Sequence, residues 1–187
     1  WPAWDQLYGS AGRAAASVAG HVGSIVLRTY ARADTAAAFQ PYATAYGFAF
    51  DPVAAEQTMS FEYVHSLSTP TILPVPARIR TNAPFSVQAS AVLRFGMMEG
   101  SAVIDAEHCV YDPQSPFNPE PFGSNGSRAA HLALVANRSE IVAMGGADDP
   151  IAAARSLLRD STEVVVVKCG AAGAAVVEQS GVTTVPA

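Results

Sequence analysis

Two hydrophobic patterns alternate along this chain, and together they predict its secondary structure. Continuous apolar runs, such as the four valines at 164–167, are typical of strands that are buried on both faces of a sheet. Alanine-rich runs that end at glycine predict helices. Because the two kinds of segment follow one another along most of the sequence, the pattern favours an α/β fold: a mostly parallel sheet with helices on both faces.

The individual elements follow from these patterns and from their flanking residues. Helices are predicted over residues 9–23, 33–47, 138–146 and 149–160, and strands over 24–31, 90–97, 109–113, 131–137 and 163–170. Residues 33–47 begin with an Asp-Thr cap and contain Pro41, which we expect to disturb the helix. Residues 99–108 indicate a helix or a turn, and residues 174–187 indicate a hairpin that turns near Ser180-Gly181.

A segment with a different pattern interrupts this alternation. Residues 57–67 alternate apolar and polar positions, which indicates a half-exposed strand, and residues 68–79 are extended and punctuated by proline. Proline in a strand suits an edge, so we place a small β flap at approximately 57–76 outside the main sheet. We expect a single domain over residues 1–187, and the open edge of the flap allows a homodimer.

Composition narrows the classes of function. Half of the 187 residues are hydrophobic and 14% are charged, which is typical of a globular domain. The net charge of −5 and the lack of a basic stripe argue against a nucleic-acid partner. No apolar run is long enough to span a bilayer and no signal-peptide pattern is present, so we expect a cytoplasmic protein without a membrane partner. The two cysteines lack metal-ligand spacing, which favours two free thiols.

Candidate chemistry gathers at the predicted strand ends, because ligands of open α/β sheets bind beyond the carboxyl ends of the strands. The residues at these positions are Arg94, Asp112, Asn137 with Glu140, and the turn 168–173. The amide and carboxylate of Asn137 and Glu140 suit Mg²⁺ or its water shell, whereas the alternative is that they cap a helix. The glycines of 168–173 allow a ligand close to the backbone, or they form an ordinary turn. The four histidines do not cluster in the sequence, and Asp34 and Asp112 are candidate substrate contacts whose alternative roles are a helix cap and a turn.

Five segments, taken in order, resemble the ribokinase-like (PfkB-type) family of sugar and nucleoside kinases. The segment GSAGRAAASVAGHVG is similar to the family's Gly-Gly-x-Gly-x-Asn motif and the helix after it, and RTYARAD is similar to the segment closing on an Asp. The other three are VYDP, VANRSEIVAMGG with its Asn-x-x-Glu motif, and VVVVKCGAAGAAVV. The resemblance covers nearly the whole chain from Gly9.

The resemblance implies ATP- and Mg²⁺-dependent transfer of a phosphoryl group to a hydroxyl of a sugar or nucleoside. Its implied site residues fall into two sets. Those for the nucleotide are Asn137, Glu140, Lys168, Gly170 and Gly173, of which Asn137 and Glu140 organise Mg²⁺ through water. Those that approach the substrate are Gly9, Gly12, Arg13, Asp34 and Arg94.

Three departures from the family pattern stand beside the resemblance. Ala14 occupies the position of the family's substrate-binding Asn, and Ser10 replaces the second glycine. The Gly-Ala-Gly-Asp segment that carries the catalytic Asp is absent from this sequence, so no catalytic residue is assigned, and we expect a chain trimmed at both ends. The alternatives are a degenerate, non-catalytic ligand-binding or regulatory module of the same fold and a Rossmann-like nucleotide-binding protein without phosphoryl transfer.

Overall fold

The computed structural model describes residues 6–65, 69–115 and 118–187. Within these residues the chain forms two compact units, the first ending at Asn82 and the second beginning at Ala83. Four α-helices are described: α1 (Gly9–Val18), α2 (Ala33–Tyr46), α3 (Arg138–Gly145) and α4 (Pro150–Leu157). Ten strands are described: β1 (Val26–Ala31), β2 (Ala49–Ala54), β3 (Ser60–Glu62), β4 (Thr71–Leu73), β5 (Phe85–Phe95), β6 (Ala102–Asp112), β7 (Arg128–Asn137), β8 (Thr162–Lys168), β9 (Ala174–Glu178) and β10 (Gly181–Val185).

The first unit contains α1, α2 and the strands β1–β4. Strands β1 and β2 pair in parallel, and β3 and β4 form a separate antiparallel pair inside the predicted flap. Residues 66–68 of the predicted flap lie outside the described residues. The core of this unit is formed by Leu27, Phe39, Ala43 and Phe48, which α2 and the two parallel strands bring together. Apolar burial of this kind is the main stabilising term for so small a unit.

The second unit is built on a six-stranded, mostly parallel sheet, as the sequence predicts. The strand order is β10-β9-β8-β7-β6-β5, in which β5 to β8 are parallel and β9 and β10 are antiparallel to their neighbours. Val165 and Val167 of β8 and Val177 of β9 are fully buried, whereas Val164 and Val166 of the valine run are partly buried. Helices α3 and α4 pack on each other and on β7 and β8.

Two strands differ from the prediction. The helix or turn predicted over 99–108 is wrong, because residues 102–112 form β6, which pairs with β5 on one side and β7 on the other. Ala106 and Glu107 favour a helix and Val103 and Ile104 favour a strand, and pairing on both sides decides for the strand. Strand β2 is not predicted at all. It contains Pro52, which a strand tolerates here because, among the described residues, β2 pairs only with β1.

The helix boundaries also need correction. Helix α1 ends at Val18 instead of continuing to the glycine at 23, and α2 continues without a break through Pro41 to Tyr46. The predicted Asp-Thr cap of α2 is wrong, since the residue at the N-cap is Arg32 and no side chain caps the helix. Helix α4 begins as predicted, with Asp149 accepting a hydrogen bond from the backbone N–H of Ala152 at 2.8 Å.

Candidate functional site at the carboxyl edge of the sheet

The topology of the second unit brings four strand ends to one edge. Strands β5, β6, β7 and β8 are parallel and end at Phe95, Asp112, Asn137 and Lys168. In the register, Phe95 lies opposite Asp112, and Asn137 lies opposite Lys168. Three of the polar strand-end residues selected from the sequence therefore share this edge, which is where open α/β sheets bind ligands.

An ion pair links two of these strand ends across the strand between them. Lys168 Nζ lies 2.7 Å from Asp112 Oδ2, and the two residues belong to β8 and β6, which flank β7. The Asp112 side chain is 11% exposed, whereas that of Lys168 is 42% exposed. The sequence analysis selects both residues but does not predict their pairing, because they lie 56 positions apart.

One oxygen of Asp112 remains without a partner. Among the described residues, Oδ1 is buried and accepts no hydrogen bond, although Oδ2 is held by Lys168. Buried polar atoms are nearly always paired in folded proteins, and leaving one unpaired costs about 1–3 kcal/mol. Such an atom is well suited to accept a hydrogen bond from a ligand or to coordinate a cation or its water.

Asn137 and Glu140 form a capping box at the start of α3. Asn137 Oδ1 accepts a hydrogen bond from the N–H of Glu140 at 3.0 Å, and Glu140 Oε2 accepts one from the N–H of Asn137 at 2.8 Å. The capping alternative is therefore confirmed. Glu140 is only 4% exposed. Within the described residues no other hydrogen bond involves the two side chains, so Glu140 Oε1 and Asn137 Nδ2 remain available for another partner.

The glycine turn after β8 has structural reasons of its own. Gly170 and Gly173 have φ of +59° and +83°, which favour glycine. A Cβ on Gly173 would also collide with the carbonyl oxygen of Val185, so the turn packs directly against the end of β10. The turn is closed by a hydrogen bond from the N–H of Cys169 to the carbonyl of Gly173 at 2.8 Å. Its main chain is consequently fixed beside Lys168.

Arg94 lies in a different environment from the one expected of a substrate contact. It is 6% exposed, and its Nη1 donates to the carbonyl of Phe122 at 3.2 Å and to Ser127 Oγ at 3.1 Å. Its guanidinium carbon lies 4.6 Å from the ring centroid of Tyr111. Burial lowers the pKa of the Arg94 guanidinium from its usual value. Arg94 therefore anchors the loop before β7, and we no longer assign it to the substrate.

The predicted substrate residues lie in the first unit. Helix α1 begins at Gly9, where φ is +54°, and Gly12 is buried with its Cα against the ring of Phe39. Arg13 is exposed on the same helix. Asp34 lies in the first turn of α2 and accepts two hydrogen bonds from Arg32, at 3.0 and 2.9 Å. These hydrogen bonds lower the pKa of the Asp34 carboxyl.

A polar pocket in the first unit has no signal in the sequence. It has a volume of about 410 Å³ and is lined by residues 54–57 and 80–82. Gln57 holds it together, donating to the carbonyl of Arg78 at 3.1 Å and accepting from the N–H of Arg80 at 2.8 Å. Arg80 also forms an ion pair with Glu56. Because the partners lie more than twenty positions apart, sequence spacing does not reveal this pocket.

The cysteines are free thiols, and two of the histidines lie side by side. Cys109 and Cys169 are both free, as predicted, and burial raises the pKa of Cys109 to about 11. The prediction that no histidines cluster is wrong, because His108 and His131 lie opposite each other on β6 and β7 and their rings stack at 4.7 Å. Among the described residues, no group of three or more His, Cys, Asp or Glu side chains is placed to hold a metal, and no helix is long and apolar enough to cross a membrane.

Comparison with known proteins identifies the fold. Fructokinase from Vibrio cholerae O395, solved with fructose, ADP and calcium, is similar with a TM-score of 0.56 and 16% identity, over 95% of this chain and 68% of that one. Phosphofructokinase-2 from Escherichia coli, solved with fructose-6-phosphate, gives 0.54 and 14% over 94% and 67%, and adenosine kinase from Sinorhizobium meliloti gives 0.56 and 14% over 95% and 63%. No protein-family model and no curated protein matches the chain. The chain therefore has the ribokinase-like fold, and it spans roughly two-thirds of the length of these kinases.

Proposed function

We propose that this chain carries the nucleotide- and acceptor-binding parts of a kinase that transfers a phosphoryl group from ATP, with Mg²⁺, to a hydroxyl of a sugar or nucleoside. The observation that carries the proposal is the edge formed by Asp112, Asn137, Glu140 and Lys168. This edge combines the ammonium group of Lys168, the buried carboxylates of Asp112 and Glu140, and the N-terminus of α3. It lies where this fold class binds ligands. Structurally similar proteins include sugar and nucleoside kinases, which supports the same conclusion.

The residues at this edge fit a magnesium ion. Mg²⁺ prefers oxygen ligands, keeps several of its waters and is usually held by one or two carboxylates together with phosphate oxygens. Asp112 Oδ1 and Glu140 Oε1 are carboxylate oxygens without another partner among the described residues. When bound, the metal neutralises charge on the transferring phosphoryl group.

The chain's own groups supply the remaining contacts to the nucleotide. Lys168 is half exposed, so its ammonium can turn from Asp112 toward a phosphate. Gly170 and Gly173 have no side chains, so a flat or anionic ligand can approach the main chain of this turn closely. Asn137 contributes an amide N–H₂ group that the capping box does not use.

We assign the acceptor to the first unit. Gly9, Gly12 and Arg13 lie on the first turns of α1, and Asp34 offers a carboxylate held in place by Arg32. A fixed, charged carboxylate is a strong acceptor for a sugar hydroxyl. The flap adds exposed aromatic rings near its strands, Phe61 at 47% and Tyr63 at 56% exposed, which suit stacking on a sugar face or a base.

The nucleotide site is tested by titrating ATP into the protein in the presence and absence of Mg²⁺. Glu140→Gln keeps the capping hydrogen bond, since glutamine also serves in a capping box, but removes the charge that the metal needs. We expect Mg²⁺-dependent ATP affinity to fall about tenfold, or about 1.4 kcal/mol. Glu163→Gln is the matched control, because Glu163 lies at the start of β8, away from the carboxyl edge. It should leave the ATP affinity unchanged. Equal affinity in both variants would remove Glu140 from the site.

The alternative is a non-catalytic binding module, and Ala14 favours it because its methyl group cannot hydrogen-bond an acceptor. Transfer of labelled γ-phosphate from ATP to a panel of sugars and nucleosides separates the two functions. Product with any acceptor establishes the kinase, whereas ATP binding without transfer to any of them supports the binding module.

We also propose a homodimer through the flap and a cytoplasmic location. The β3–β4 hairpin has exposed apolar side chains, including Leu73 at 39%, and an open strand edge can pair with a second copy. Light scattering during gel filtration tests the dimer. A molecular mass twice that of the single chain, which falls to the mass of the single chain in Phe61→Glu, supports the dimer. A monomer at all concentrations contradicts it.

A further inference from the structure

A second cavity lies in the sheet unit, away from the edge described above. Its volume is about 390 Å³, which falls within the range of pockets that bind small molecules. Thr162, at the start of β8, lines it, whereas Lys168 ends the same strand at the carboxyl edge. At about 3.3 Å per residue the two positions are roughly 20 Å apart, so the cavity is separate from the candidate nucleotide site.

The inner wall of this cavity is apolar. It is formed by Leu132 and Leu134 of β7, Met144 of α3, Leu157 of α4 and Phe122 of the loop before β7. A strand, two helices and a loop therefore contribute to it, and hydrogen bonds hold the loop and the two helices in place. Arg94 holds the loop through the carbonyl of Phe122, and Ser156 Oγ of α4 donates to the carbonyl of Gly145 in α3 at 2.8 Å. The wall is consequently a built surface rather than a gap beside a single helix.

The mouth of the cavity carries one guanidinium group that is not paired with a described residue. Arg128, Arg159 and Asp160 line the mouth. Arg128 is engaged with Asp105 through two hydrogen bonds, at 3.0 and 2.7 Å. The Arg159 guanidinium forms no hydrogen bond or ion pair with the described residues. This group is therefore available to bind an anion at the mouth.

We propose that this cavity binds a small molecule that has an apolar body and one anionic group. The apolar body lies against Leu132, Met144 and Leu157, and the anionic group faces Arg159. Burial of the body supplies most of the affinity, and the ion pair at the exposed mouth orients the ligand. Met144 lies four residues after Glu140 on α3, so the ligand contacts the same helix face whose first turn lies at the carboxyl edge.

The test uses anilinonaphthalene sulfonate, a flat apolar fluorophore with one sulfonate, titrated into the intact protein. Met144→Trp fills the cavity, and we expect it to abolish saturable binding. Ala143→Trp places the same bulk on the exposed side of α3 and is its control. Arg159→Glu should weaken binding roughly tenfold at low salt, whereas Arg155→Glu, which makes the same charge change outside the cavity, should not. Circular dichroism verifies that each variant is folded.

Each outcome decides the proposal. Saturable binding to one site, lost in Met144→Trp and weakened in Arg159→Glu but not in the two controls, supports it. Binding that does not saturate, or that is equal in all folded variants, overturns the site. If Met144→Trp does not fold, the comparison of Arg159→Glu with Arg155→Glu still decides. Equal affinity for the neutral analogue phenylnaphthylamine overturns the assignment of an anionic ligand. None of these readouts depends on ATP binding or phosphoryl transfer.

Discussion

Replacing Lys168 with Met isolates the partly buried ion pair at the carboxyl edge. The substitution keeps most of the side chain's apolar length but removes the ammonium that lies 2.7 Å from Asp112 Oδ2. Removing one partner of a fully buried pair costs about 3–5 kcal/mol, whereas an exposed pair contributes about 0–1 kcal/mol. Here the carboxylate is 11% exposed and the lysine 42%, so the pair lies between these limits. We expect Lys168→Met to lower the free energy of unfolding by about 2 kcal/mol.

Urea unfolding of four proteins measures this coupling: the original chain, Lys168→Met, Asp112→Asn and the double variant. Asp112→Asn removes the buried charge, and the lysine left behind can be hydrated, so we expect this change to cost less than about 1 kcal/mol. The double variant should therefore be more stable than the sum of the single effects predicts, by about 1–2 kcal/mol. Additive effects, or a loss below about 0.5 kcal/mol in Lys168→Met at an unchanged urea slope, would refute the reasoning.

Three further predictions concern single residues. At pH 8 a thiol reagent should label Cys169 rapidly and Cys109 hardly at all, because the thiolate is the reactive form and the pKa of Cys109 is raised to about 11; labelling of Cys109 should increase only as the pH approaches that value, and equal rates at pH 8 would contradict this. Gly173→Ala should lower the free energy of unfolding by more than about 2 kcal/mol, measured by urea, since φ is +83° and the new methyl meets Val185; a neutral change would show that the turn relaxes. Arg94→Lys should cost about 2 kcal/mol in the same assay because it loses the planar contact with Tyr111 and a buried hydrogen bond; a stable Lys variant would argue against the anchoring role.

The parts of the fold that could be predicted from sequence are those specified locally. The valine run predicts strand β8, and the structure confirms it. The Asn-x-x-Glu sequence predicts the start of α3, where it forms a capping box. The hairpin of β9 and β10 turns near Ser180-Gly181, as predicted. The capping box and the hairpin turn depend on residues within a few positions of one another, whereas the valine run is recognised from its composition.

Long-range pairing accounts for what the sequence could not predict. Strand β6 contains residues that favour a helix beside others that favour a strand, and its pairing with β5 and β7 decides between them. The same holds for the candidate site. Asp112 is visible as a strand-end carboxylate, but its pairing with Lys168 and its orphaned oxygen depend on the strand order. Arg94 has the sequence context of a ligand contact, yet the loop that ends at Ser127 covers it.

Hydrogen–deuterium exchange with and without MgATP tests the central claim most directly. If the nucleotide binds at the carboxyl edge, amides in α3 and in the turn 168–173 should exchange more slowly with MgATP than with ATP and a chelator. The amides of the hairpin turn at 179–181, at the other end of β9 and β10, should change little and serve as an internal reference. Equal exchange at the edge under both conditions, with saturating nucleotide present, would contradict the account.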